Sequence, residues 1–153
     1  MSIADFDTLA SAIGLAKLWS LGLYNENIEE SDKNSVVNGP LPTYVVLPRG
    51  AHPDVQRFLS LHKHLCPIRS LKSLPGFTDQ DLKKKGKNTS PDNNNPNEGL
   101  QRVGLVDAQR RDRLGPAEIL LPHAKLGVTI VDHHMDAESD IREARNFVCE
   151  NVG

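Results

Sequence analysis

The sequence predicts an α/β fold with three layers, in which a mainly parallel sheet carries helices on both faces. Short β-branched and apolar runs alternate with amphipathic stretches along the chain, which is the order typical of parallel sheets. Two of these runs, residues 102–107 and 127–132, end in an aspartate. A chain of 153 residues is long enough to form one domain with a hydrophobic core.

Three stretches have the periodicity of helices. In residues 7–23 the apolar positions repeat every three or four residues and so fall on one face; they are Leu9, Ala12, Ile13, Ala16 and Trp19. Residues 53–65 have a similar amphipathic pattern. Residues 116–124 predict a short helix, because Pro116 suits the first helical position.

The strands are predicted from short apolar runs. Residues 43–47 read Thr-Tyr-Val-Val-Leu and are followed by a proline, which is typical of a buried strand. Residues 102–107 and 127–132 predict two further strands, and residues 146–149 predict a short last one. The pattern therefore predicts a sheet of about four strands.

Residues 78–98 differ in character from the rest of the chain. They contain a lysine cluster and an asparagine-rich tract, and such low hydrophobicity cannot offset the entropy of ordering the chain. Because neither flank has a core of its own, we expect a disordered insertion within a single domain that spans residues 1–153. The lysine cluster is interpreted as a solvated loop rather than as a phosphate-binding patch.

Composition limits the classes of function and the compartment. The net charge of -2 argues against a strongly basic nucleic-acid binder, although it leaves local basic patches open. No run approaches the roughly 20 apolar residues that a membrane helix needs, and the first residues do not resemble a secretory signal. The distant Cys66 and Cys149 favour a reducing compartment, either the cytoplasm or an organellar stroma or matrix.

Acidic and imidazole groups occur where strands are predicted to end or helices to begin. They are Asp5 and Asp7, then Asp107, then the run Asp132-His133-His134. Ligands bind at the carboxyl ends of parallel strands, and a divalent cation would remove the repulsion between carboxylates gathered there. Carboxylate and imidazole together favour manganese, magnesium, iron or zinc over calcium.

Each motif also has a simpler explanation when it is considered alone. An aspartate before a helix is usually an N-cap, and one after a strand is usually a turn residue. Adjacent histidines are usually surface residues. The combination of all three motifs at strand ends favours a metal site.

These motifs resemble those of a known family. Residues 4–11 (Ala-Asp-Phe-Asp-Thr-Leu-Ala-Ser), 106–107 (Val-Asp) and 131–134 (Val-Asp-His-His) are similar to the first three motifs of the DHH phosphoesterase superfamily. The chain most resembles the DHH domain of proteins that also carry CBS domains and a poly(A) polymerase or tRNA nucleotidyltransferase module. Residues 45–64 are similar to the second strand and helix of that domain. The resemblance covers nearly the whole chain except the insertion.

The resemblance implies metal-dependent hydrolysis of a phosphodiester or phosphoanhydride bond by water. It implies two Mn²⁺ or Mg²⁺ ions, with Asp5 on one ion, Asp7 on the other, Asp107 between both and His133 on the second. No further cofactor is implied.

The resemblance also implies the catalytic residues and the partners. His134 would face the substrate phosphate as a hydrogen-bond donor or acid, and Asp132 would orient the histidines or the metal-bound water. The implied partner is a phosphorylated substrate such as a nucleotide or RNA, with no membrane involved.

The chain departs from the family pattern at both ends. Met1 stands where the family has a metal-binding histidine, so we expect the first strand to be missing. The fourth-motif aspartate and the C-terminal substrate domain would follow Gly153. We therefore expect weak hydrolysis, or none, from the chain alone. The alternative is a non-catalytic RNA- or nucleotide-binding module beside a polymerase-type domain, and metal dependence separates the two.

Overall fold

The computed structural model describes residues 3–22, 42–74, 99–134 and 139–149. The helices are α1 (Phe6–Ser20), α2 (Pro53–His62) and α3 (Arg111–Leu114), and the strands are β1 (Val103–Val106), β2 (Val128–Asp132) and β3 (Ala144–Cys149). The described residues also include three 3₁₀ segments: Lys63–Leu65, Leu71–Ser73 and Gly115–His123. No helix among these residues is both long enough and apolar enough to cross a membrane.

The strands form a parallel sheet with the order β1-β2-β3. Val106 of β1 lies opposite Val131 of β2, and Asp132 at the end of β2 lies opposite Cys149 of β3. The register of β2 against β3 shifts between Val128 and Thr129. The prediction of a parallel α/β fold is therefore confirmed.

Capping interactions define both ends of helix α1. The side chain of Asp5 accepts a hydrogen bond of 2.9 Å from the amide of Thr8 and caps the first turn. At the other end the amide of Gly22, which has a φ of 73°, donates to the carbonyl of Trp19, a backbone conformation that glycine adopts without steric cost. The predicted helix is confirmed with boundaries shifted by one to three residues.

Helices cover both faces of the sheet. Gly104 of β1 faces α1 so closely that an added Cβ would lie 2.7 Å from Cδ2 of Leu15. The opposite face is built from the neighbouring positions of β1 and β2 and packs on α3 and the 3₁₀ segment that follows it; the buried members are Val103, Leu105, Leu114, Leu120, Leu121, Val128, Ile130 and Ile141. The described residues therefore form the predicted three layers.

Helix α2 packs against α1 through residues other than those that touch the sheet. A second buried hydrophobic cluster is formed by Leu9 of α1, by Ala51 just before α2 and by Val55 within α2. A parallel bridge between Ala4 and Ala51 ties the chain before α1 to the chain before α2. This packing fixes the amino end of α1 beside the carboxyl edge of the sheet.

Two predicted elements take a different form. In residues 43–47 only Val45 pairs, as an isolated parallel bridge with Ile68. Residues 116–123 of the predicted helix lie in a 3₁₀ segment rather than an α-helix, and Ala124 follows that segment. Pro122 inside the segment has no amide to continue an α-helical ladder. The predicted insertion at 78–98 lies outside the described residues.

Candidate metal centre

The ends of β1 and β2 bring the candidate ligands together. Asp107 directly follows β1, and Asp132 is the last residue of β2. Because the strands are parallel neighbours and Val106 lies opposite Val131, these two carboxylates meet at one edge of the sheet. Asp107, Asp132, His133 and His134 each offer one ligand atom, and these atoms all lie within 4.8 Å of one another.

Asp107 reaches the cluster through an uncommon backbone conformation. Its φ is 54°, and it is the one non-glycine residue with a positive φ among the described residues. Aspartate and asparagine tolerate this region better than most residues. The amide of Asp107 donates to the carbonyl of Val131 at 3.0 Å. This last backbone hydrogen bond to β2 fixes the position of the turn after β1.

Asp132 orients His134 by two contacts. Its side chain is fully buried, and its Oδ1 accepts a 2.9 Å hydrogen bond from the amide of His134. The same oxygen lies 2.7 Å from Nδ1 of the His134 ring. Burial raises the pKa of the Asp132 carboxyl, but the hydrogen bonds from His134 outweigh it and lower that pKa overall. Asp132 is therefore ionised at neutral pH.

The same contacts decide which nitrogen of His134 faces outward. Nδ1 lies between two carboxylates, at 2.7 Å from Asp132 Oδ1 and 3.1 Å from Asp107 Oδ1, so it carries the ring proton. Nε2 of neutral His134 then keeps a lone pair that can bind a cation, and in the protonated ring it can donate to an anion. The ring is 42% exposed, so a ligand can reach it.

His133 lies beside His134 and makes weaker contacts with the carboxylates than His134 does. Its ring stacks on that of His134 with a centroid distance of 4.2 Å, and its Nδ1 lies 3.9 Å from Asp107 Oδ1. The side chain is 57% exposed. His133 is thus the most accessible imidazole of the cluster.

Two carboxylate oxygens of the cluster lack hydrogen bonds. Oδ1 of Asp107 and Oδ2 of Asp132 are buried, and neither makes a hydrogen bond to a described residue. Oδ1 of Asp107 has Nδ1 of His134 at 3.1 Å, but in a geometry that is not a hydrogen bond. Buried carboxylate oxygens without partners are unfavourable, and a divalent cation held by Asp107 would satisfy the one on that residue. The donor set therefore fits such an ion.

Asp5 is linked to the cluster through one hydroxyl. The Oγ1 of Thr8 lies 2.9 Å from Oδ1 of Asp5 and 3.1 Å from Oδ2 of Asp107, within hydrogen-bond distance of both. Hydrogen bonds from the backbone and hydroxyl of Thr8 lower the pKa of the Asp5 carboxyl. Asp5 is thus a helix cap that stands next to the cluster without belonging to it.

Asp7 lies in the exposed first turn of α1, and it too is outside the four-residue cluster. The metal-binding roles of Asp5 and Asp7 remain predictions. The structure brings together the other four predicted residues, those after β1 and at the end of β2.

Gln109 belongs to the site although its sequence position gave no signal. Its side chain is only 2% exposed, and Nε2 donates a 2.9 Å hydrogen bond to the carbonyl of His134. It therefore ties the turn after β1 to the turn after β2. No sequence motif around a glutamine predicts such a contact, because the contact depends on the tertiary fold.

No protein-family model, curated protein or solved structure matches this chain. The resemblance to the DHH superfamily accordingly stays an interpretation of the motifs. The functional proposal below depends on the geometry and chemistry of the cluster.

Proposed function

We propose that this chain binds a divalent cation at the cluster and supports metal-dependent hydrolysis of phosphodiester or phosphoanhydride bonds. The observation that carries the proposal is the convergence of two carboxylates and two imidazoles within 4.8 Å at the carboxyl edge of a parallel sheet. Asp107 and His133 act as ligands of Mn²⁺ or Mg²⁺. A complete site would hold two such ions, with Asp5 and Asp7 as the further predicted ligands.

The chemistry of the cluster favours a phosphorylated substrate. A divalent cation bound by carboxylates would neutralise the charge on phosphoryl oxygens. It would also lower the pKa of a water molecule bound to it towards neutrality. His134 is held by Asp132 with one ring nitrogen facing outward, so that in its protonated state it can donate to a phosphate oxygen. Asp132 fixes the orientation of that ring, as an orienting carboxylate does in many metal sites.

A hydrolysis assay with a matched pair of variants tests this proposal. We expect the purified chain to hydrolyse bis-para-nitrophenyl phosphate or inorganic pyrophosphate slowly with Mn²⁺ and not at all with a chelator. Asp107→Asn removes one negative charge from the cluster and should abolish the turnover. Asp54→Asn removes one from the exposed first turn of α2 and should leave it unchanged.

The assay also separates hydrolysis from the alternative of a non-catalytic RNA- or nucleotide-binding module. Turnover that survives the chelator, or that is equal in the two variants, would contradict the proposal. Nucleotide binding that persists in the chelator without any turnover would instead favour the binding module.

A further inference from the structure

The hydroxyl of Thr8 lies between two carboxylates that come from different parts of the fold. Its Oγ1 is 2.9 Å from Oδ1 of Asp5, before α1, and 3.1 Å from Oδ2 of Asp107, after β1. A hydroxyl has one hydrogen and ionised carboxylates only accept, so it donates to one of them at a time. Oδ1 of Asp5 also accepts the amide of Thr8 at 2.9 Å. Asp5 therefore keeps a donor when the hydroxyl turns to Asp107.

Asp107 depends on this hydroxyl more than Asp5 does. Oδ2 of Asp107 accepts the hydroxyl, whereas Oδ1 is buried and makes no hydrogen bond within the described part of the chain. The Asp107 side chain is 17% exposed, while Asp5 is exposed and can be solvated by water. If Thr8 lost its hydroxyl, both carboxylate oxygens of Asp107 would lack a donor among the described residues.

The fold holds this hydroxyl in place. Thr8 precedes Leu9, which is 2% exposed and belongs to the hydrophobic cluster between α1 and α2. Farther along the helix, a Cβ on Gly104 would meet Cδ2 of Leu15 at 2.7 Å, so α1 is packed closely against the sheet. The branched Cβ of threonine also restricts its χ1 angle. The contact with Asp107 therefore comes from a helix that is packed on two sides.

The contact gives the two oxygens of Asp107 different surroundings. Oδ2 is occupied by Thr8, and Oδ1 faces the imidazoles, at 3.1 Å from Nδ1 of His134 and 3.9 Å from Nδ1 of His133. A carboxylate held in this way offers one oxygen to a cation rather than two. Ca²⁺ takes about six to eight oxygen ligands and often binds both oxygens of a carboxylate, whereas Mg²⁺ and Mn²⁺ suit octahedral sites.

We propose that Thr8 determines which ion the candidate metal centre prefers: its hydroxyl occupies Oδ2 of Asp107, so the carboxylate binds through Oδ1 alone and Mn²⁺ or Mg²⁺ is favoured over Ca²⁺. This inference rests on the proposed function, because it requires that the cluster binds a divalent cation. Thr8 acts through Asp107, so it is a positioning residue. Such groups around a ligand contribute to affinity and orientation without touching the ion.

Competition between Ca²⁺ and Mn²⁺ tests this inference. The full chain is saturated with Mn²⁺, and the Ca²⁺ concentration that releases half of the bound Mn²⁺ is measured by electron paramagnetic resonance. This concentration depends on the ratio of the two affinities, so a general weakening of the site leaves it unchanged. Thr8→Val removes the hydroxyl and retains the branched shape. We expect it to lower this Ca²⁺ concentration about tenfold, because Asp107 can then offer both oxygens.

Three further variants show whether the effect comes from the hydroxyl and passes through Asp107. Thr8→Ser keeps the hydroxyl and should behave like the natural chain. Ser60→Ala removes a hydroxyl from an exposed position of α2 and should also behave like the natural chain. Asp5→Ala removes the other carboxylate that the hydroxyl contacts. Adding Thr8→Val to Asp5→Ala should still lower the Ca²⁺ concentration about tenfold.

The outcomes separate this inference from the proposed function. Equal Ca²⁺ concentrations for the natural chain and Thr8→Val would overturn the inference and leave the proposed function standing. The same holds if Thr8→Ser matches Thr8→Val, if the effect disappears in the Asp5→Ala background, or if Thr8→Val binds neither ion. No Mn²⁺ binding by the natural chain would overturn the proposed function, and this inference with it.

Discussion

At the scale of single residues, the cluster is organised by Asp132 more than by any other group. Its one oxygen Oδ1 receives the amide of His134 and contacts the ring of the same residue, so backbone and side chain are fixed together. Asp107 supplies the facing carboxylate from a backbone conformation that few other residues adopt easily. The fold itself thus brings the four candidate ligand atoms within 4.8 Å of one another.

The ionised state of Asp132 should stabilise the fold in a pH-dependent way. Its pKa is lowered in the folded chain, so its contribution is present above the ordinary value of 3.8 and is lost as the pH falls through the lowered value. In a chelator at pH 7 we expect Asp132→Asn to lower the free energy of unfolding by about 1–3 kcal/mol. Urea unfolding from pH 7 down to pH 3 should show that difference shrinking, and a constant difference would contradict the assignment.

Gln109 should influence metal binding without touching the metal. Gln109→Leu keeps the position filled but removes the hydrogen bond to the carbonyl of His134. We expect the dissociation constant for Mn²⁺ to rise about tenfold, as it does when groups that support metal ligands are removed. Circular dichroism serves as the check that the fold is intact. An unchanged dissociation constant would show that this contact does not position His134.

Asp5 allows its two roles to be separated by two substitutions. Asp5→Asn retains a capping oxygen for the amide of Thr8 but loses the charge, whereas Asp5→Ala loses both. We expect only Asp5→Ala to lower the free energy of unfolding, by about 1 kcal/mol. Both variants should bind Mn²⁺ more weakly if Asp5 is a ligand. Full Mn²⁺ affinity in Asp5→Asn would limit Asp5 to capping.

At the scale of elements, the close approach of α1 to β1 depends on Gly104. A Cβ at this position would meet Leu15 at 2.7 Å and Trp19 at 3.0 Å, so the helix and strand pack nearer than a larger residue allows. This approach holds the amino end of α1, and with it Thr8, beside Asp107.

Gly104→Val should therefore push α1 away from the sheet. We expect a loss of about 1–3 kcal/mol in the free energy of unfolding, which is the usual effect of overpacking. The midpoint of urea denaturation measures it. A variant as stable as the natural chain would indicate that the Leu15 and Trp19 side chains rearrange freely.

At the same scale, the sequence predicted elements better where local signals dominate. The apolar periodicity of α1 and α2 and the β-branched runs of β1 and β2 are local, and the structure agrees with them. Residues 43–47 have the composition of a strand, yet a strand also needs neighbours, and only Val45 finds one. The 3₁₀ form of Gly115–His123 depends on Pro122, whose effect the periodicity did not weigh.

At the scale of the whole molecule, the meeting of Asp107 with the Asp132-His133-His134 run was predictable for a topological reason. Parallel neighbouring strands end at the same edge of the sheet, so the residues that follow them lie close together regardless of the length of the connecting loops. Gln109 could not be predicted, because nothing near it in sequence indicates a contact with the carbonyl of His134. The link from Asp5 to Asp107 likewise depends on how α1 docks on the sheet.

The central claim is that the cluster binds a divalent cation, and a calorimetric titration with Mn²⁺ tests it most directly. The full chain is compared with Asp107→Asn, which suits the positive φ at this position, and with Asp54→Asn as the remote control. We predict saturable binding by the natural chain and by Asp54→Asn, and its loss in Asp107→Asn. No binding by the natural chain, or equal binding by all three proteins, would contradict the account.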